Sequence, residues 1–300
     1  MALSRAMIPA ASLLFLAGGA AWAQEVELDP ASDDPVARGA YIFAAAGCAA
    51  CHTAEEEGAR PLAGGRALST PFGTFYSPNI TPDPEHGIGD WTEADLVRAL
   101  RGGVSPSGDP YYPAFPYTSY TGMTATDIAD LWAYLRSVPP AAVENRPHDL
   151  SWPFSWRFLL PVWRSMNFER IPPEAAAVRA EQSRGAYLVE ALGHCAQCHT
   201  PRGPLGGLDE DLHLAGAEDG PGGEVVPNIT PHEETGIGGW SADDLTFFLE
   251  IGMMPDGDFA GGEMADVISE TTSRLTTEDR AAMVEYLRNL PPIEHAVGGE

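Results

Sequence analysis

Cys48-Ala49-Ala50-Cys51-His52-Thr53 returns 147 residues later as Cys195-Ala196-Gln197-Cys198-His199-Thr200, and that recurrence decides how the chain is read. The two segments use all four cysteines of the 300 residues. Upstream, Arg38-Gly39-Ala40-Tyr41 returns as Arg184-Gly185-Ala186-Tyr187. Downstream, Pro78-Asn79-Ile80-Thr81-Pro82 returns as Pro227-Asn228-Ile229-Thr230-Pro231, and Gly87-Ile88-Gly89-Asp90-Trp91 as Gly236-Ile237-Gly238-Gly239-Trp240. Tyr134-Leu135-Arg136 matches Tyr286-Leu287-Arg288, each shortly before a Pro-Pro pair. Five ordered blocks at offsets between 146 and 152 residues make the chain a tandem duplication.

Each copy reads as a few helices joined by irregular loops. Thr92-x-x-Asp95, Ser241-x-x-Asp244, Thr124-x-x-Asp127 and Thr276-x-x-Asp279 are capping-box-like helix starts. After Thr124, Ile128, Leu131, Trp132 and Leu135 recur at helical spacing and predict one buried stripe. Met283, Val284 and Leu287 form its counterpart. The copies occupy residues 35–140 and 182–294. Between them, residues 141–181 hold Trp152, Phe154, Trp156, Phe158, Leu159, Leu160, Val162 and Trp163. So aromatic a connector is not a flexible linker, and it is expected to pack across both copies.

Residues 1–23 read as a signal peptide: Arg5, then an apolar stretch from Met7 to Ala17, then Ala21-Trp22-Ala23 as a cleavage site. No later segment is apolar over a bilayer-spanning length, so no transmembrane segment is expected in the mature chain. The net charge is −26, and all 17 basic residues are arginine. Such a surface repels nucleic acid and favours a basic protein partner. With 32 glycines and 27 prolines, much of the chain should be loop.

Cys-x-x-Cys-His marks covalent haem attachment: two thiols in one short turn reach the two vinyl groups, and the histidine lies under the iron. A disulfide framework would not explain a histidine after each pair. A zinc site would need the pairs to converge, and a thioredoxin-like pair wants an α/β setting. Two covalent haems are therefore expected, held by Cys48, Cys51 and His52, and by Cys195, Cys198 and His199. The sixth iron ligand separates electron transfer from chemistry at an open site. Met123 is the one methionine between Cys48 and the connector, and it precedes a capped helix. In copy two the aligned residue is Leu275, which cannot bind iron. Met283 belongs to the apolar stripe. Met253 and Met254 precede a Pro-Asp-Gly turn, and Met264 opens a segment leading toward the last helix. Spacing favours Met264 without excluding Met253 or Met254.

Tyr112-Pro113-Ala114-Phe115-Pro116-Tyr117 leading to Met123-Thr124, and Met264-Ala265-Asp266-Val267-Ile268 leading to Leu275-Thr276, carry a family likeness. With the Trp-rich connector and the approach from Gly185 to His199, the chain resembles the class I cytochrome c domains of bacterial alcohol, gluconate and related dehydrogenase cytochrome subunits. The resemblance covers roughly residues 35–294. It implies an all-α fold of two tandem class I cytochrome c domains, each a few helices and long loops around a covalent haem. It implies Met123 and Met264 as distal ligands. It also sets Asn79 and Trp91, and Asn228 and Trp240, against the haem propionates. Pro61 resembles the proline whose carbonyl orients the proximal imidazole, with no clear equivalent in copy two.

The subunits it resembles carry three such domains and a membrane-anchoring tail. With two, this chain is expected as a periplasmic dihaem carrier, or the cytochrome subunit of a smaller dehydrogenase. A periplasmic dehydrogenase would donate electrons, and a basic cytochrome or oxidase would accept them. A dihaem enzyme, a peroxidase or sulfur-compound dehydrogenase, is the other expectation, because it needs one displaceable ligand and copy two has the less certain one.

Overall fold

In the computed structural model residues 28–298 are described, and the leader expected at 1–23 lies outside them. Asp34 caps helix α1 (Pro35–Ala45) by accepting from the Val36 N–H, and Pro35 brings a φ suited to the first helical turn. α2 (Cys48–His52) follows, then the hairpin β1 (Ala67–Thr70) and β2 (Gly73–Tyr76). α3 (Glu93–Gly102), α4 (Tyr117–Tyr120) and α5 (Ala125–Ser137) complete copy one. The connector holds β3 (Asp149–Leu150), α6 (Leu160–Asn167) and α7 (Pro173–Gln182). Copy two begins with α8 (Arg184–Ala186), which runs into a π-helical turn at Tyr187–Leu192. α9 (Ala196–His199), α10 (Ala242–Ile251), α11 (Gly262–Glu270) and α12 (Thr277–Arg288) follow. The class is all-α, as expected. A small antiparallel sheet joins copy one to the connector, with Gly73 facing Leu150 and Thr74 facing Asp149.

The Arg-Gly-Ala-Tyr block explains how the helices assemble. A Cβ on Gly39 would lie 1.9 Å from the Asp130 carbonyl oxygen, and one on Gly185 2.0 Å from that of Ala282. Only glycine lets α1 cross α5, and α8 cross α12, this closely. Arg38 then clamps Asp130 through two bonds of 2.7 Å, and Arg184 clamps Asp279 at 2.8 and 2.6 Å. The tyrosine of each block crosses to the other copy. Tyr41 donates to Asp279 (2.6 Å) and accepts from the Thr276 N–H (3.0 Å). Tyr187 donates to Asp127 (2.5 Å) and accepts from the Thr124 N–H (3.1 Å).

Those bonds refine the helix starts. Thr92 with Asp95, and Ser241 with Asp244, are full capping boxes. At α5 and α12 the threonine caps its helix, but the aspartate turns outward to a tyrosine. The tyrosine hydroxyl takes the N-cap N–H that the carboxylate would otherwise have satisfied. Two helix caps thus become the polar seam between the copies.

Beneath the seam lies one continuous core. Met123, Ile128, Leu131 and Leu135 from copy one share it with Leu188, Leu192, Met283, Val284 and Leu287 from copy two. Trp132 of the expected stripe packs against its edge. The connector meets its expectation only in part. Arg164 donates to the carbonyls of Gly102 (2.6 Å) and Gly103 (3.2 Å), and Trp163 Nε1 to that of Leu205 (2.7 Å). It therefore binds both copies, yet Trp152, Trp156, Phe158 and Val162 stay exposed. Trp156 lies edge-on to Trp152 and stacks on Phe158, so these rings shield one another rather than the core.

Candidate functional site

α2 spans one turn, which brings Cys48, Cys51 and His52 together; α9 and the residue before it do the same for Cys195, Cys198 and His199. The four thiols form no disulfide. Burial pushes Cys48 and Cys195 up to about 12 and Cys198 up to about 11, and raises Cys51 as well. Thiols held protonated make poor redox nucleophiles.

His52 Nδ1 is 2.7 Å from the Pro78 carbonyl, and His199 Nδ1 is 2.8 Å from the Pro227 carbonyl. A carbonyl only accepts, so each ring proton sits on Nδ1 and Nε2 keeps its lone pair. Burial holds both imidazoles below the ordinary histidine value, which favours this neutral form. An oriented imidazole with a free Nε2 is the donor an iron requires. The orienting residue is therefore Pro78, not Pro61, and copy two has its equivalent in Pro227. Both belong to a repeat block already visible in the sequence.

The same block holds the asparagines. Asn79 gives its amide hydrogens to the carbonyls of Ala141 (2.7 Å) and Val143 (3.1 Å), and its oxygen accepts from Thr81 N–H and Oγ1. Asn228 donates to Ile293 (2.8 Å), and its oxygen accepts from both groups of Thr230. These amides stitch the tail after the last helix to the loop that presents the proline carbonyl. In both copies the amide donors are engaged by backbone carbonyls.

Two further repeats are visible only once the site is in view. Leu62-Ala63-Gly64 corresponds to Leu214-Ala215-Gly216, with Leu62 at φ 61° and Leu214 at φ 59°. A leucine in this left-handed region costs on the order of 1–3 kcal/mol. Both copies retain it because two bonds in each fix the loop behind the histidine. Thr53 Oγ1 accepts from the Leu62 N–H and Thr200 Oγ1 from the Leu214 N–H. The carbonyls of His52 and His199 accept from the Gly64 and Gly216 N–H groups at 2.8 and 2.7 Å.

The second is Gly103-x-x-Pro106-x-Gly108-Asp109 against Gly252-x-x-Pro255-x-Gly257-Asp258. Bridges Val104↔Pro110 and Met253↔Phe259 give both segments the same hairpin. Met253 and Met254 thus stand where copy one has Val104 and Ser105, inside a turn. Carried forward, the register sets Met264 opposite Phe115; beyond a three-residue insertion, Leu275 stands opposite Met123. Met123 is fully buried between α4 and α5, and Met264 is half-buried on α11.

The two sites touch. Gln197 Nε2 donates to Thr118 (3.0 Å) and Ser119 (3.1 Å) on α4, and the Tyr120 ring lies edge-on to His194 at 5.5 Å. Arg66 of copy one donates to Glu263 (3.1 Å) and Asp266 (2.9 Å), which flank Met264.

The family model described as cytochrome c matches residues 36–139 and again 182–291. The chain belongs to the cytochrome c family. A "Diheme cytochrome c-type" protein of Cereibacter sphaeroides is 44% identical over 299 residues, covering 97% of this chain and 99% of the relative. The cytochrome c subunit of a quinone-dependent alcohol dehydrogenase from Gluconobacter oxydans is 37% identical, over 95% of this chain. That of a gluconate 2-dehydrogenase from Pantoea cypripedii is 39% identical over 87%. The chain spans 59% and 61% of those two subunits. Covalent haem c and electron transfer are thus its chemistry. The donor set fits that cofactor: paired thiols, and an imidazole Nε2 left free by a carbonyl on Nδ1. Among the described residues no helix is long and apolar enough to cross a membrane.

Proposed function

We propose that the chain is a periplasmic dihaem cytochrome c that takes electrons from a dehydrogenase and delivers them to a downstream respiratory acceptor. The observation that carries this reading is the pair of histidine-to-proline-carbonyl bonds, His52 to Pro78 and His199 to Pro227, each beside two cysteines on one helical turn. Cys48 and Cys51 hold one haem by thioether bonds, and Cys195 and Cys198 hold the other. When bound, haem iron supplies reversible one-electron exchange between its ferric and ferrous forms. His52 and His199 would ligate it through Nε2. Met123 and Met264 would supply the second ligand, a soft, neutral thioether that would leave no position for substrate. Trp91 and Trp240 border the core and offer indole N–H donors to the propionates.

The partners follow from charge and kinship. A chain of −26 with no lysine docks best against a basic cytochrome or oxidase face. The relatives named as cytochrome subunits point to a dehydrogenase as donor. The leader-like residues 1–23 support export to the periplasm.

The test is haem stoichiometry on protein exported by a host that attaches haem c. Intact mass and the pyridine haemochrome should give two haems per chain. Cys48→Ala with Cys51→Ala should leave one. A chain with a single haem, or haem lost on acid extraction, would contradict the reading.

A further inference from the structure

Arg101, in the last turn of α3, is 1% exposed. Its Nη2 donates to the Ile171 carbonyl at 2.7 Å, while Nε and Nη1 are buried without a partner. The charged groups that act on it are Arg170 and Glu174, with Tyr187 alongside, and Glu174 is solvent-exposed. Among the described residues no carboxylate is bonded to it. A guanidinium keeps its proton even here, so the interior of copy one contains a positive charge that no described carboxylate pairs.

That charge lies behind the segment that presents Met123. The Ile171 N–H donates to Thr121 Oγ1 at 3.0 Å, two residues before Met123. Leu100, next to Arg101, shares a core cluster with Met123. Tyr187 binds the N–H of Thr124, the residue after Met123.

Copy two differs at this place. The hairpin register that aligns Gly103 with Gly252 sets Glu250 opposite Arg101. Glu250 pairs at 3.2 Å with Arg280, which is 5% exposed. Arg280 also donates to the carbonyl of Leu275, the residue opposite Met123. Copy two therefore pairs its buried arginine with a half-exposed carboxylate, whereas the buried arginine of copy one is bonded to none among the described residues. In a low-dielectric interior a nearby cation favours the less positive ferrous iron.

We infer that Arg101 holds the first haem at a higher reduction potential than the second, so that electrons enter through copy two and leave through copy one. The inference rests on the dihaem reading above. One electron passes from the second site to the first, and neither a proton nor a bond moves with it.

The experiment is an equilibrium redox titration of the holoprotein, followed by absorbance, which resolves two one-electron steps. Arg101→Gln should lower the upper step so that, at a fixed potential, the ferrous-to-ferric ratio falls at least tenfold, about 59 mV for a one-electron couple. The lower step should stay in place. Arg101→Lys keeps the charge and should restore the upper step. Glu250→Gln frees Arg280 and should raise the lower step, a test that stands even where Arg101→Gln does not accumulate. An upper step unmoved by Arg101→Gln, or a lower step unmoved by Glu250→Gln, would overturn the inference. Failure of the dihaem reading is distinguishable, because the haem stoichiometry would then fall below two.

Discussion

On the proximal side, where the histidine is held, the two copies repeat bond for bond. Pro78 and Pro227 orient the imidazoles, Leu62 and Leu214 take the same left-handed backbone, and Asn79 and Asn228 stitch the same tail. On the distal side almost nothing repeats. Copy one has Phe115 and Met123 where copy two has Met264 and Leu275, with an insertion between them. A proximal histidine needs both position and ring orientation, so several bonds must survive together. A thioether needs only to reach the iron, and a flexible methionine can do so from more than one point along the chain. The duplication has therefore kept the constrained half and let the other drift.

The comparison breaks first at the helix crossings. Gly39→Val or Gly185→Val drives a side chain into the Asp130 or Ala282 carbonyl. Overpacking of this kind costs at least ~1–3 kcal/mol, and here backbone must move, so both variants should yield little folded holoprotein. The measurement is recovery of soluble, haem-loaded chain; wild-type yield from either would show that the crossing tolerates a Cβ.

A smaller effect is expected at the seam. Tyr41→Phe leaves Asp279 and the Thr276 N–H short of a partner, and Tyr187→Phe does the same to Asp127 and the Thr124 N–H. Each should cost about 1–3 kcal/mol in denaturant unfolding. Asp279 retains Arg184 as a second partner, whereas Asp127 has no arginine clamp of that kind, so Tyr187→Phe should cost the more. Equal or reversed costs would mean that the clamp does not share the load.

The smallest effect is a dependence on pH in copy two. The bond from His213 to Glu190, at 3.0 Å, raises the histidine above its ordinary value. A group whose folded pKa is raised stabilises fully below its unfolded value and loses that contribution as pH rises through the folded one. Thermal stability of the wild type should thus fall as pH climbs from about 6 past neutrality, near the ordinary histidine range. His213→Phe should flatten that slope; an unchanged slope would assign it to another group.

The sequence showed the duplication, the attachment turns, the stripe under α5 and the need for a distal methionine, because each is a short pattern with one physical cause. It did not show what the repeated Asn-Ile-Thr does. That its amide bonds the tail after the last helix emerges only from the positions of Ala141 and Ile293, far along the chain. Leu62-Ala63-Gly64 was present as a repeat but too short to stand out from chance. The exposed rings of Trp152, Trp156 and Phe158 depart from the expected packing across both copies, since aromatic content does not say which way a ring faces.

Carbon monoxide binding to the reduced protein tests the central claim, two methionine-closed sites built from different parts of the repeat, most directly. The wild type should not respond. Met123→Ala and Met264→Ala should each bind carbon monoxide at half of the haem, and Met253→Ala and Met254→Ala at none. A response from half the haem of the wild type would mean that Met264 does not close the second iron, and would favour a dihaem enzyme over a carrier.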